Sequence, residues 1–393
     1  MEVNIEEIHS TSEVRIAVVG VGGGGCNTIN HIIKHGVNSA IKLISLNTDA
    51  KALQTITAHS KIQLGEKTTR GFGAGMDPEV GRKSAEESYE QIKDELRDSN
   101  IVLIATGLGG GTGTGASPVV ARAAKEIGAL TIAVVTKPFA YEGKVREKAA
   151  EAGLRELKKE VDTFIVIPNE KLLSIIDKSL GLRDSLKVVD DVMAQAVRGV
   201  ASFILDNNSD GLNIDFADLN TVMAFKGLGL IGIGEKDGED SAVEAVKEAI
   251  ESPLFDNVSI KGAKGAIIHY TINEKYPTHE IATANAIVQQ QLDENAFCKQ
   301  GWSWDNSLEP TQVKVTLVIT GFEREVLQTS EFAQDYDTPP TTIDTRNNAT
   351  NTSDSSMGWA KYKNNKMIVC GTRNYPVEGD DIDSPVFLLH QQD

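Results

Sequence analysis

Two glycine-rich stretches hold most of the chemistry legible in this chain of 393 residues. The first, Gly20-Val21-Gly22-Gly23-Gly24-Gly25, follows the apolar run VRIAVV and precedes a helix expected from near Asn27, with Ile29, Ile32 and Ile33 at helical spacing. The second, TGLGGGTGTG, follows the apolar run IVLIA, ends at Gly115 and enters a helix at Ala116-Ser117-Pro118. Glycine lets another group approach the backbone closely. At a turn from strand to helix, successive N–H groups form a nest for an anion, reinforced by the helix dipole. Phosphate suits such a nest. Thr112 and Thr114 add hydroxyl donors, and Pro118 is expected in the first helical turn, where a missing N–H costs nothing. The alternative for the second stretch is a flexible linker, but linkers do not follow a buried strand and run straight into a helix.

Gly20, Gly22 and Gly25 satisfy G-x-G-x-x-G, and Asp49 follows the next apolar run, IKLISL, where a ribose acceptor would lie. A nicotinamide-dependent dehydrogenase is therefore a rival reading. The second loop weighs against it, since one pyrophosphate needs one such turn, whereas two on neighbouring strands fit a nucleoside triphosphate held along its length. There is no G-x-x-x-x-G-K-[ST] motif, and neither loop contains lysine to reach a terminal phosphate. Arg146 is a candidate source of positive charge and Glu142 a candidate acceptor for ribose hydroxyls, although both also read as a solvated helix start. A third glycine-rich stretch, KTTRGFGAGMDPEVG (67–81), is expected near the nucleotide, ahead of a helix from about Arg82 to Leu96.

These loops need elements to hold them. Alternating apolar strands (LTIAVVT, TFIVIP) and helices beyond the second loop imply an α/β, doubly wound parallel sheet, covered on both faces. Residues 182–205 carry Leu182, Val189, Met193, Ala196, Val197, Val200 and Ile204 at the spacing of one long buried helix. That helix divides the expected organisation. An N-terminal extension (1–13) and a nucleotide-binding domain (14–181) precede it, and a smaller α/β domain (206–322) follows. The smaller domain opens with a polar turn holding Asn213, Asp215 and Asp218. Residues 323–380, dominated by Thr, Asn, Ser, Asp and Pro in their first half, read as a disordered linker, and 381–393 as a short partner-binding peptide.

Composition narrows the partners. With 39 basic against 56 acidic residues the net charge is −17, so neither nucleic acid nor an anionic membrane surface is expected as a direct ligand. Cys26, Cys298 and Cys370 show no CxxC or Cys/His spacing, so no metal-ligating residues are assigned, and a reducing cytoplasm fits. The N-terminus lacks a basic segment followed by an apolar run, and no apolar stretch nears the roughly 18 residues that span a bilayer, which is the expectation for a soluble, unexported protein.

GLGGGTGTG followed by Ala116-Ser117-Pro118 resembles the signature of the tubulin/FtsZ superfamily, and the bacterial FtsZ branch resembles the chain from about Arg15 to Gly321. GVGGGG with Asn27, NTDAKAL, AVVTKPFAYEGKVR, IPNEKL with Asn169, and NIDFADLNTVM are similar to family blocks, in family order. The resemblance implies GTP binding and hydrolysis, Mg²⁺ with the nucleotide, head-to-tail homopolymers, and a cytoplasmic division ring at mid-cell. By position it assigns Gly23, Gly24, Gly25, Cys26 and Asn27 to the first nucleotide loop and Gly110, Gly111, Thr112, Gly113 and Thr114 to the second. Glu142 and Arg146 correspond to ribose and phosphate contacts. Leu186 matches a position where the family often places an aromatic against the purine. A carboxylate can accept from guanine N1–H and N2–H₂ together; of Asp190 and Asp191, Asp190 is chosen because it lies i+4 from Leu186. The C-terminal Asp383-Ser384-Pro385-Val386-Phe387-Leu388 departs from the family pattern for binding membrane-tethering and other division proteins, lacking its Ile.

If Asp190 touches the base, the helix continues for about 15 residues and carries the polar turn roughly 22 Å away. Asn213, Asp215 and Asp218 are then expected to act on a neighbouring subunit's GTP, orienting or deprotonating the attacking water. The other use for Asp215 and Asp218 is to cap the helix after the turn. A filament protein that binds GTP without turnover is the remaining alternative.

Overall fold

A computed structural model describes residues 14–36, 38–172, 181–205, 214–225, 227–252 and 260–322, with the strands at 359–361 and 367–369. The N-terminal extension, Asn213, most of the stretch read as linker and the C-terminal peptide lie outside the described residues. The chain forms two compact units, Met1–Thr338 and Pro339–Asp393.

In the first unit, β1 (Ile16–Val21), α1 (Gly22–Lys34), β2 (Ile41–Asn47), α2 (Ala50–Gln54) and β3 (Ser60–Gln63) lead to two short helices, α3 (Pro78–Glu87) and α4 (Tyr89–Leu96). The single helix expected from about Arg82 to Leu96 thus starts earlier, at Pro78, and is interrupted at Ser88, whose backbone leaves helical geometry (φ −100°, ψ 14°). Next come β4 (Ile101–Gly107), α5 (Thr112–Glu126), β5 (Leu130–Lys137), α6 (Lys144–Glu160), β6 (Thr163–Pro168), α7 (Asn169–Leu172) and the long α8 (Leu182–Leu205). The remainder is α9 (Phe216–Met223), β7 (Gly227–Lys236), α10 (Ser241–Ile250), β8 (Gly265–Ile272), α11 (Thr278–Gln289), β9 (Phe297–Trp304) and β10 (Val313–Thr320).

One sheet runs through all ten strands in the order β3-β2-β1-β4-β5-β6-β7-β10-β8-β9. From β3 to β7 every pairing is parallel, as buried apolar runs and helical crossovers require. Beyond β7 the sheet is mixed: β10 is antiparallel to β7 and β8, and β9 is parallel to β8. FCKQGWSW, the sequence of β9, alternates poorly and was not legible as a strand. The two expected domains share this sheet, because β6 pairs with β7 over Thr163–Ile165.

Cores lie on both faces. One packs Val19, Ile104 and Val135 against α4, α5 and α6, then β8 and β10 against α10 and α11. The other packs Val18, Leu103 and Val134 against α1, α8 and α9. On α8, Val189, Met193, Ala196, Val197, Val200 and Ile204 are all buried, as their spacing predicts, while the Leu182 side chain lies outside the described residues. In the second unit, β11 (Trp359–Lys361) and β12 (Met367–Val369) form a short antiparallel pair within the stretch read as linker.

Candidate functional site

β1 has β2 on one side and β4 on the other, so chain direction across the sheet reverses beside it. Ligands of open α/β sheets bind outside the carboxyl ends of strands at such a switch point. Both glycine loops emerge there, and both helices begin earlier than their apolar periodicity suggests. The α1 helix starts at Gly22 instead of near Asn27, and α5 starts at Thr112, which puts Pro118 in its second turn. Glycine adds no apolar signal, so periodicity reports only the part of each helix that touches the core.

The N-termini of α1 and α5 have no side-chain cap and no acidic residue in the first turn. Elsewhere Asp49, Asp77 and Asp215 cap α2, α3 and α9. Two uncapped helices thus point positive ends and free N–H groups at one cavity of about 610 Å³. Gly23, Gly24, Asn27, Gly110, Gly111, Thr112 and Gly113 are among its lining residues. At Gly23 and Gly110 an added Cβ would meet nothing within 4 Å, so these positions open to the cavity.

Other residues of the two loops shape the cradle from behind. A Cβ on Gly25 would stand 2.2 Å from the Ala105 carbonyl oxygen, so Gly25 lets α1 close on β4. The Cys26 thiol is buried toward the Gly20 and Leu46 carbonyls, and burial pushes its pKa up to about 12. The Thr114 hydroxyl accepts from Gly109 N–H at 2.8 Å and fixes the loop against its own helix. Thr112 shares a 2.6 Å hydroxyl contact with Thr48. Gly25, Cys26 and Thr114 are not among the cavity-lining residues. The third glycine-rich stretch does reach the site's rim, because a Cβ on Gly111 would meet Ala74 Cβ at 2.8 Å and Asp77 N at 2.9 Å.

Arg146 is the one basic residue among the described lining residues. It pairs with Glu142, whose other oxygen accepts from Phe139 N–H at 2.9 Å. Arg146 Nε and Asn169 Oδ1 are buried without a hydrogen-bond partner among the described residues, as polar atoms are when a polar ligand belongs beside them. From α8, Leu186, Val189, Asp190 and Met193 also line the cavity. Burial pushes the Asp190 carboxyl up to about 6. Thr136, Pro138, Phe139 and Tyr141 also line the cavity and were not predicted. Their signal was position, since KPFAYEG follows the carboxyl end of a strand next to β4.

Asp49 lies elsewhere. Its carboxylate accepts from Ala52 N–H at 2.9 Å as the cap of α2, and it does not line the cavity, so the acidic residue that the dinucleotide reading needs is committed to a helix start. Asp215 and Asp218 also lie off the cavity. Asp215 caps α9 by accepting from Asp218 N–H at 2.7 Å, and Asp218 pairs with Lys299 of β9 at 2.6 Å.

Residues 15–177 match the model of the tubulin/FtsZ family GTPase domain, and residues 227–323 match that of the FtsZ family C-terminal domain. The cell division protein FtsZ of Helicobacter pylori (strain ATCC 700392 / 26695) is 44% identical over 325 residues, spanning 82% of this chain and 84% of that protein. The chain belongs to the tubulin/FtsZ family. An empty FtsZ dimer from M. jannaschii is 48% identical with a TM-score of 0.73, covering 79% of this chain and 89% of that one. CetZ2 from Haloferax volcanii, solved as a GTPγS-bound protofilament, has a TM-score of 0.69 over 82% of this chain and 98% of its own, but at 17% identity it shares the fold alone. The tubulin/FtsZ GTPase-domain match spans both glycine loops and the short helix carrying Asn169; α8, with Leu186 and Asp190, lies between the two matched segments.

Proposed function

We propose that the chain is a GTPase of cell division that polymerises head to tail, completes its active site between subunits, and works in the cytoplasm at the mid-cell ring. The observation carrying this reading is the pair of uncapped helix N-termini at the cavity, together with carboxylates that lie off it. The starts of α1 and α5 offer the triphosphate backbone N–H groups and two positive dipole ends, Arg146 adds charge, and Asp190 faces the guanine edge, accepting from N1–H and N2–H₂. Catalysis of phosphoryl transfer is mostly positioning and electrostatics. The phosphate end still lacks a group to orient water, and Asp215 and Asp218, with Asn213 in the preceding turn, supply it from the next subunit. Mg²⁺ would travel with the phosphates, since it keeps several of its waters and takes oxygen ligands; the Thr112 hydroxyl is of the right chemistry to join them.

Large exposed apolar side chains support a docking face around the cavity. Tyr141 lines it, Val145 adjoins Arg146, and Met76 adjoins Asp77, whose backbone lies against Gly111. A contact between unlike ends of two copies is heterologous, and it propagates as a filament if its rotation does not close.

Turnover per subunit should be near zero at high dilution and rise above a threshold concentration at which light scattering appears. In mixtures, an Asp215→Ala subunit and a Gly23→Asp subunit, each inactive alone, should restore turnover, because the first offers an intact nucleotide to the second's intact Asp215. A constant per-subunit rate down to concentrations where sedimentation finds only monomers would place the whole site in one chain and reject the proposal.

A further inference from the structure

His31 and His35 stand one turn apart on α1, and Asp191 faces them from α8, which packs against α1. One ligand atom from each residue lies within 4.8 Å of the other two. His31 Nε2 is 3.1 Å from Asp191 Oδ1, yet the ring is not directed to donate to it, and Nε2 is buried without a hydrogen bond. The two imidazoles stack with centroids 4.3 Å apart. His35 Nδ1 lies 3.0 Å from the His31 carbonyl oxygen, a contact that only Nδ1–H can make, so the neutral ring keeps its lone pair on Nε2. The second oxygen of Asp191 accepts from Gln195 Nε2 at 2.7 Å. Outer hydrogen bonds of this kind fix the tautomer and orientation of metal ligands.

We propose that His31, His35 and Asp191 form a site for a divalent transition metal of the zinc class, which clamps α1 to α8 behind the nucleotide cavity. Two imidazoles and a carboxylate make a borderline-soft donor set, suited to zinc in a tetrahedron whose fourth position is water, and poorly suited to Mg²⁺ or Ca²⁺, which take oxygen ligands. Bonds of about 2.0–2.1 Å put the ligands of a tetrahedral zinc roughly 3.3 Å apart. His31 and Asp191 already stand at that separation. His35, exposed at the end of α1, closes the remaining distance by turning its side chain.

The position gives the clamp a consequence. Asn27, one turn before His31, and Asp190, adjacent to Asp191, both line the cavity. An ion held between α1 and α8 therefore fixes two cavity-lining helices against each other. Any cavity ligand that shifts one helix against the other changes the metal affinity, and the metal changes that ligand's affinity by the same factor.

The test uses the full chain, stripped with chelator and free of nucleotide. Calorimetry with ZnCl₂ should show one tight site per chain, and Co²⁺ should give the intense visible bands of a four-coordinate ion. Loss of an outer partner alone costs about 10–100-fold in metal affinity, so His35→Ala and Asp191→Asn should each weaken Zn²⁺ by about tenfold or more, with an unchanged circular dichroism spectrum. Mg²⁺ should not compete. Zn²⁺ affinity that is equal in the wild type and in a folded His31→Gln, His35→Ala double variant overturns the proposal. So does a wild-type chain whose Co²⁺ spectrum stays that of the six-coordinate aqueous ion.

Discussion

Gly23 and Gly25 stand two residues apart in one loop and answer to different constraints. Gly23 opens to the cavity, so Gly23→Asp adds a carboxylate where the phosphates should sit, with no packing clash. That variant should fold with an unchanged melting temperature and lose GTP binding by calorimetry. Gly25→Ala forces its Cβ against the Ala105 carbonyl and should instead cost stability, by about 1–3 kcal/mol in chemical denaturation. Asp190 gives a pH signature. Burial raises its carboxyl to about 6 in the folded chain, so the folded state holds this proton more tightly than the unfolded one. Its contribution to stability therefore grows as pH falls through that value, in the direction opposite to a salt-bridged carboxylate. Guanine N–H donors favour the charged form, so GTP affinity should fall below about pH 6, and binding near pH 6 should release a proton. Calorimetry in two buffers of different ionisation heat measures that release, and its absence would remove Asp190 from the base contact. Asp190→Asn, which offers one acceptor and one donor, should turn preference from guanine toward xanthine triphosphate by about tenfold or more.

Among the elements, α9 couples a structural role to a proposed catalytic one through Asp215. The cap is real, since Asp215 accepts from Asp218 N–H, and its loss in Asp215→Ala should cost about 1 kcal/mol. Asparagine caps a helix as well as aspartate but cannot take a proton. Asp215→Asn should therefore keep the wild-type melting temperature while GTP turnover in assembled filaments falls on the order of 10²-fold. Near wild-type turnover in Asp215→Asn would leave Asp215 with the cap alone. The contrast with α1 and α5 is instructive. Aspartates cap α2, α3 and α9 internally, whereas the glycine-rich first turns of α1 and α5 have no side-chain cap and border the cavity.

At the scale of the molecule, one sheet carries the nucleotide cavity near β1 and β4 and, past the parallel β6–β7 pair, the mixed strands that hold Lys299 beside Asp218. This continuous sheet connects the two regions that the proposed shared active site assigns to different subunit contacts. The acidic, Asp-containing segment 381–393 is proposed to bind a partner. Removing residues 386–393 should leave GTP turnover and light scattering at wild-type levels while abolishing recruitment to membranes carrying the tethering partner. A large loss of turnover in that truncation would tie the peptide to assembly instead.

The two glycine loops, the alternation of strand and helix, and the buried stripe of α8 were legible because each is local. A nest needs glycine within a few residues, and a helix face repeats every three or four. Those patterns also suffice to exclude a lysine-containing phosphate loop. What lay beyond them depended on residues far apart in sequence. The starts of α1 and α5 were hidden because glycine carries no hydrophobic periodicity. Tyr141 and Thr136 entered the cavity only because β5 pairs with β4, and Asp49 left it because α2 needed a cap. Whether a loop glycine faces a ligand or a carbonyl depends on what packs behind it, as Gly23 and Gly25 show. The histidines of α1 meet Asp191 only through the packing of α8. Spacing along a chain specifies which residues share a face, and tertiary packing decides what that face meets.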